Sequence, residues 1–318
     1  MKSPTSNFSV LYAQTFKYFI LCSVFLLLFT SCKNDEDPRP PTINLIFESN
    51  NAHDGDTASI GQALKFKVQA EGLDANLTNF TVKKLYNGTA KTVLDSGMNS
   101  AGFVTSLTFY QNVENEVEWQ FAVMDRERNE ASVSLKIYKD PNSQFGGIYE
   151  FANIRMGYQL NNTYGQYFLP LLNKVYFADS AAMYQSQVDF LTYFNWKDDN
   201  GVLKPSPTFS SPGEETSATG ELYDLYYPYL TNWTTRNYTK YDIRAVNGVT
   251  VEGFENAHND SLLIVSYDDV WGKKKYKWAT DGCFIPFQTA TGKKGIIQVH
   301  QADLDTTGSI LFSMKIQM

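Results

Sequence analysis

The chain has 318 residues, 43% of them hydrophobic and 19% charged, with a formal net charge of −7. That composition builds packed cores, so a wholly disordered chain is excluded. The acidic balance leaves no basic stripe for nucleic acid, three Cys exclude a disulfide-stapled scaffold, and three dispersed His (53, 258 and 300) speak against a histidine-built metal centre.

Lys2 and Lys17 are the only charges before Cys32, and an apolar run from Tyr18 to Phe29 follows them. The run is shorter than the roughly 20 residues of a membrane-spanning helix and suits a secretory signal. It ends in Phe29-Thr30-Ser31-Cys32, small residues directly before a Cys. This resembles the lipobox of bacterial lipoproteins, with Phe29 where a Leu is usual. The resemblance implies a signal peptide over residues 1–31 and lipidation of Cys32; an ordinary signal peptide or an uncleaved anchor is the alternative. Two or more acyl chains hold a protein on a membrane where one does so marginally. Residues 32–41 carry Asp35-Glu36-Asp37 and then Pro38-Arg39-Pro40-Pro41, an acidic, Pro-rich tether that favours extended backbone. An acidic run just after the lipidated Cys resembles the surface-export signal of Bacteroidetes lipoproteins. It implies a protein on the outer membrane facing the extracellular side; a solvated linker is the plainer reading.

From residue 42 to 139 the apolar residues alternate with period two. Ile43, Leu45 and Phe47 predict one strand, Leu64 to Ala70 a second, and Phe80 with Val82 a third. Val104, Leu107 and Phe109 predict another, then Val117 to Val123 and Val133 to Ile137. Turn signals fall at Asp54-Gly55, Glu71-Gly72, Asn87-Gly88, Ser96-Gly97 and Asp125 to Glu130. Many short strands without helical periodicity predict a β-sandwich. Length and pattern resemble the immunoglobulin-like modules of bacterial surface lipoproteins, without their Cys pair. Trp119 is read as core.

Asp140-Pro141-Asn142-Ser143 forms a linker, and residues 145–318 form an aromatic-rich second domain. Strands are predicted at Tyr149 to Ile154, Val188 to Trp196, Leu262 to Tyr267, Gly295 to Val299 and Ile310 to Ile316. Leu222, Leu225, Tyr226, Tyr229, Leu230 and Trp233 share one helical face, which Pro228 kinks or shortens. The fold class is therefore mainly β: an N-terminal immunoglobulin-like sandwich and a C-terminal α+β domain dominated by antiparallel strands. Cys283 lies in an apolar strand-like run and reads as a packing residue.

Phe177-Ala178-Asp179, Val188-Asp189-Phe190, Pro207 to Pro212, Thr235 to Tyr241, Thr291 to Val299, Gly308 to Ile310 and Met314 to Gln317 together are similar to uncharacterised Bacteroidetes outer-membrane lipoproteins. In these, an immunoglobulin-like module precedes a β-rich domain. The resemblance brings no catalytic residue.

No nucleophile elbow, His-Glu-x-x-His, Cys-x-x-Cys or phosphate-cradling Gly loop is present, so no catalytic residue, metal or cofactor is assigned. Asp305-Thr306-Thr307-Gly308 reads as a hairpin turn rather than an aspartic-protease motif. A glycosidase needs two facing carboxylates. Asp198, Asp199, Glu214, Glu215, Glu221, Asp268 and Asp269 are candidates that nothing pairs. Asp198-Asp199-Asn200 and Asp303-x-Asp305 lack full calcium-loop spacing.

Aromatic density is the one feature with binding chemistry. Tyr223, Tyr226, Tyr227, Tyr229, Trp233, Tyr238 and Tyr241 crowd one segment. Trp271, Tyr276 and Trp278 form a second group among Lys273, Lys274, Lys275 and Lys277, read as a solvated hairpin tip. Aromatic faces stack on sugar rings, which makes Tyr223, Tyr227, Trp233, Trp271 and Trp278 candidate ligand-binding residues. Tyr226, Tyr229 and Trp233 lie on the helical face and suit a core; Tyr223, Tyr227 and Trp271 are expected at the surface. Asp56-Thr57-Ala58, Asp179-Ser180-Ala181, Asp260-Ser261-Leu262 and Asp305-Thr306-Thr307 resemble the Bacteroidetes O-glycosylation motif, which points to Thr57, Ser180, Ser261 and Thr306.

The expected protein is a surface-exposed, lipid-anchored, non-catalytic binding lipoprotein that contacts polysaccharide through its second domain. An adhesion or assembly module contacting another envelope protein is the alternative, and an unrecognised glycoside hydrolase a further one.

Overall fold

The structure is a computed structural model that describes residues 38–214 and 220–318. The acylation candidate Cys32, the expected signal peptide over residues 1–31 and Glu215 lie outside the described residues.

Two sheets make the first unit. Strands β1 (Thr42–Leu45), β3 (Ala63–Glu71) and β6 (Gly102–Tyr110) form one, in the order β1-β3-β6. Strands β2 (Asp56–Ala58), β8 (Glu130–Lys139), β7 (Glu116–Asp125), β4 (Leu77–Tyr86) and β5 (Thr89–Ser100) form the other, in that spatial order. Every pairing is antiparallel except β2 with β8. Alternation sends Leu64, Phe66 and Val68 of β3 inward against Trp119, Phe121 and Val123 of β7. Phe66 lies 5.2 Å from Trp119, ring centre to ring centre, and Phe109 lies 4.7 Å away. Period-two burial between two sheets is what makes a sandwich. Gly97 pairs with Asn79 inside β5, so the expected turn at Ser96-Gly97 is continuous strand. Polar residues dominate β5, and its apolar alternation is too thin to reveal it.

Two more sheets make the second unit. The smaller has the order β11 (Lys174–Tyr176), β10 (Tyr167–Leu169), β12 (Phe190–Asp199), β13 (Val202–Ser210). The larger runs β15 (Gly272–Lys273), β14 (Lys240–Asp242), β16 (Phe284–Gln288), β17 (Lys294–Ala302), β18 (Ser309–Gln317), β9 (Ile148–Gly157). All these pairings are antiparallel. Between the sheets lie Phe168, Phe190, Phe194, Phe209, Phe287 and Phe312, with Met156 and Met314. Cys283 packs against this core as a free thiol.

Residues 261–266 are a short helix, not the expected strand. Of its apolar run Leu262 to Val265, only Leu263 is fully buried, while Ile264 and Val265 face outward. A buried strand would have hidden alternate residues. The aromatic segment is a short irregular helix, as its Pro predicts: a π-helical turn Leu222–Tyr226, a break at Tyr227, and a 3-10 turn Pro228–Asn232.

The two units are bonded at the linker. Ser59 Oγ donates to Asp140 (2.9 Å), Ser143 Oγ accepts from Ile60 N–H (3.0 Å), and Asn259 Nδ2 donates to Ile60 O (3.1 Å). The enclosed Asp260 carboxylate accepts from Gly146 N–H and Gln317 Nε2, both at 2.8 Å. Gly61 sits at φ +84°, and a Cβ there would meet Asn259 Nδ2 at 2.6 Å. Gly55 has nearly the same φ, +85°, with open space around it. A left-handed non-glycine residue costs about 1–2 kcal/mol at either site. Gly61→Ala should therefore lower the melting temperature several degrees further than Gly55→Ala, and Asn259→Ala in the Gly61→Ala background should recover part of the difference. Thermal melting of the three variants checks this.

Candidate functional site

The aromatic segment folds onto the outer face of the four-stranded sheet. Tyr223 and Tyr227, expected at the surface, are each 2% exposed. Their hydroxyls donate inward, Tyr223 to Pro212 O (2.6 Å) and Tyr227 to Thr192 O (2.5 Å). Tyr227 sits at the break between the two turns, four residues after Tyr223 and buried with it. Trp233 is buried beside Tyr167, ring centres 5.5 Å apart, and Tyr241 is buried with its hydroxyl on Ser210 O. Burial raises the Tyr227 and Tyr241 hydroxyls well above the usual phenol value. These rings are core, and none of them forms a platform.

Beside them lies a polar cluster that sequence reasoning missed. On β12 and β13, Tyr193, Asn195, Lys197, Ser206, Thr208 and Ser210 share one face by register. The chain from Lys275 to Ala279 is not the expected solvated tip. It leaves β15, bridges Phe209 through Tyr276, and bonds Ala279 N–H to Pro207 O (2.9 Å), so it runs along β13. Lys275 thereby reaches the enclosed Glu214 at 2.5 Å and Glu221 at 4.0 Å. Glu214 also accepts from Ser210 Oγ (2.5 Å) and Tyr193 OH (3.3 Å). Glu221 is held by Lys197 (2.5 Å) and Tyr226 OH (3.0 Å). Asn195, 7% exposed, donates to Tyr226 OH (3.1 Å), and its Oδ1 has no partner among the described residues.

Among the expected acids, this brings Glu214 and Glu221 together around one lysine. A glycosidase acid must hold its proton near neutrality. Glu221 goes the other way: although burial opposes it, hydrogen bonds from Lys197 and Tyr226 and the charges of Lys197 and Lys275 lower its pKa. The other described candidate acids are engaged in turns and ion pairs. Asp198 accepts from Gly201 N–H, Asp199 pairs with Lys204, Asp268 caps Val270 N–H, and Asp269 pairs with Lys240. Asp303 accepts from Ser309, and Asp305 from Thr307, as a hairpin turn requires. Among the described residues, no group of three or more His, Cys, Asp or Glu is placed to hold a metal ion.

Trp271 is 47% exposed, as expected. Val270 of the same turn is exposed beside it, and Ile243, Val246 and Val265 are exposed on adjoining segments. Bonds join these segments: Ile243 N–H donates to Trp271 O (3.3 Å) and Arg244 Nη2 to Ser266 O (2.7 Å). Ion pairs Arg244–Asp242 (2.6 Å) and Lys240–Asp269 (2.9 Å) edge the patch. Trp278 is half-buried at φ +57°, its indole N–H without a partner among the described residues and Lys277 Nζ 5.8 Å from its ring centre. Among the glycosylation candidates, Thr57 is exposed, while Ser180, Ser261 and Thr306 are partly buried. The enclosed acid of Asp260-Ser261 sets that motif apart from the other three.

The chain matches no protein-family model and no curated protein. Among solved structures, it is similar to a DUF4466 family protein from Parabacteroides merdae, at 13% identity and TM-score 0.41, covering 89% of this chain and all of the other. It is also similar to a CARDB domain from Pyrococcus furiosus, at 14% identity and TM-score 0.20, over 31% of this chain and 97% of that domain. Neither similarity is close enough to transfer a function.

Two outcomes test this electrostatic picture. Lys275→Met should strand the Glu214 carboxylate and cost about 3–5 kcal/mol of stability, most of it restored in the Lys275→Met/Glu214→Gln double variant; urea melts check both. Asp189 supplies a pH dependence. Burial pushes its carboxyl from 3.8 up to about 6, against the Asn237 hydrogen bond and the Lys293 charge. Between those pH values the folded protein keeps a proton that the unfolded chain releases. The stabilisation is full below pH 3.8 and lost as pH rises through about 6. Asp189→Asn should therefore gain about 3 kcal/mol over wild type at neutral pH and nothing at acid pH, read by urea melts at each.

Proposed function

We propose that the chain is a lipid-anchored envelope protein that binds another envelope protein through the Trp271 face and performs no catalysis. The anchor is Cys32, and its support is the run-and-Cys pattern of the amino terminus. The observation that carries the binding reading is the contrast between Trp271 and the other aromatic candidates. The fold hides Tyr223, Tyr227 and Trp233, yet leaves Trp271 outside beside exposed Val270, with Ile243, Val246 and Val265 exposed on the adjoining segments. Exposed apolar side chains gathered on one surface mark interaction sites, and a Trp at the centre with charged groups at the rim is the usual composition of a docking anchor.

A second reading, polysaccharide binding, is favoured by Trp196. It is 57% exposed, opposite Pro205 on β13, with its ring 5.9 Å from that of Phe194. An exposed indole face suits stacking on a sugar ring. Affinity gels containing polysaccharide separate the two readings: Trp196→Ala should change migration only under the second.

For the first, a photo-crosslinking residue at position 246 should trap one defined envelope protein in intact cells. Trp271→Ala should reduce that adduct at least tenfold with the melting temperature unchanged. An adduct insensitive to Trp271→Ala would refute the docking face. Metabolic labelling with a fatty acid should mark the wild type and not Cys32→Ala.

A further inference from the structure

The end of the sandwich meets the second domain across a pocket of about 230 Å³. Its walls come from both units: Lys84, Val93 and Phe109 to Asn112 from the sandwich, and Ile148, Glu150 and His258 from the second domain. Alternation along β4 turns Phe80 and Val82 into the core, and the next inward position is Lys84. A lysine therefore closes the open end of an apolar core. Its ammonium lies 4.6 Å from the Trp119 ring centre, and among the described residues no carboxylate stands within ion-pair distance of it. Two further polar atoms at this end lack partners among the described residues: Glu114 Oε2 and the indole N–H of Trp119, itself 1% exposed. Burial lowers the Lys84 pKa, against the pull of Glu114. An unpaired, desolvated cation lining a cavity is the arrangement that an incoming anion relieves.

The opposite wall has the complementary chemistry. Glu150 lines this wall, with Oε2 3.1 Å from Lys315 Nζ and Oε1 3.8 Å from His258 Nδ1; a carboxylate has about four lone-pair sites, so it can accept from a further hydroxyl. The His258 ring stacks on Tyr110, centres 3.3 Å apart, and so fixes that wall. Burial, ahead of the opposing Glu150 charge, lowers the His258 pKa, so the imidazole is neutral at neutral pH. Val93, Phe109 and Ile148 supply the apolar surface that small-molecule pockets need around a few polar groups.

We propose that this pocket binds a small hydroxylated carboxylate of the uronic-acid class, with its carboxylate on Lys84 and a hydroxyl donated to Glu150. The volume admits one sugar-sized unit. The site is independent of the Trp271 face, and it is formed only when both units are in place. The ligand's source is either a free sugar acid or the terminus of an acidic polysaccharide.

Calorimetric titration of the full chain in detergent tests it, with D-galacturonate, D-glucuronate, D-glucose and tetragalacturonate as probes. A uronate should bind at least tenfold more tightly than glucose. Lys84→Gln should weaken that binding at least tenfold while leaving the glucose response unchanged. Thr108→Trp, at an exposed position on the pocket wall, should block it without touching Lys84. Tetragalacturonate binding as well as the monosaccharides identifies a chain terminus as the source, and monosaccharide binding alone identifies the free acid. Uronates binding no better than glucose, or binding that survives both variants, would overturn the proposal. Should Lys84→Gln not fold, Thr108→Trp decides alone.

Discussion

The pairing of Lys275 with Glu214 ties the edge of the four-stranded sheet to the chain that leaves the six-stranded one. Two sheets meet there, and only a short stretch of chain, from Lys275 to Ala279, lies across their edges as a strap. An ammonium and a carboxylate removed from water attract each other strongly, and they are tolerated only when each has its counter-charge and hydrogen bonds. Glu214 has them from Lys275, Ser210 and Tyr193. Once that carboxylate is placed, Tyr276 must bridge Phe209, and the residues on either side follow. Lys277, Trp278 and the polar face of β12 and β13 take their positions from this one contact.

Much of the architecture was legible in the chain. Where one face of a strand is apolar and the other polar, as in β3 and β7, alternation alone locates it. The same rule failed for β5, whose exposed side chains carry no such contrast, and for Leu262 to Val265, where four apolar residues in a row hide the period. The site was less legible. A tyrosine-rich segment looks alike whether its rings face water or core, and what decides, the face of the four-stranded sheet that covers them, is distant in sequence. Glu214 and Lys275 are distant in sequence, and nothing local to either announces the other. Trp271 was legible because a charged turn on both sides leaves it little to pack against.

The arrangement separates stabilising aromatics from presenting ones. Tyr167, Tyr193, Tyr227 and Trp233 knit the irregular helix to the four-stranded sheet, each hydroxyl finding a partner so that a large ring can be buried at little polar cost. That frees the loops at the β14–β15 edge to keep apolar side chains outward. The junction between the units works on the opposite principle, with small residues and backbone bonds drawing them close. Gly61 and Gly147 leave room for that approach, for a Cβ at Gly147 would meet Val113 at 2.5 Å.

The place of β9 bears on how the molecule is made. Although it opens the second domain, its neighbour in the sheet is β18, so Ile148 faces Gln317 across the ladder. A nascent polypeptide emerging from a ribosome or a translocon cannot close this sheet until the far strand has cleared the exit. Until then the phenylalanines of the central core have no lid. Long-range pairing of this kind is slow as well as late. Under the envelope reading proposed above that delay is useful, because export machinery that threads polypeptides end to end requires a passenger that has not yet folded.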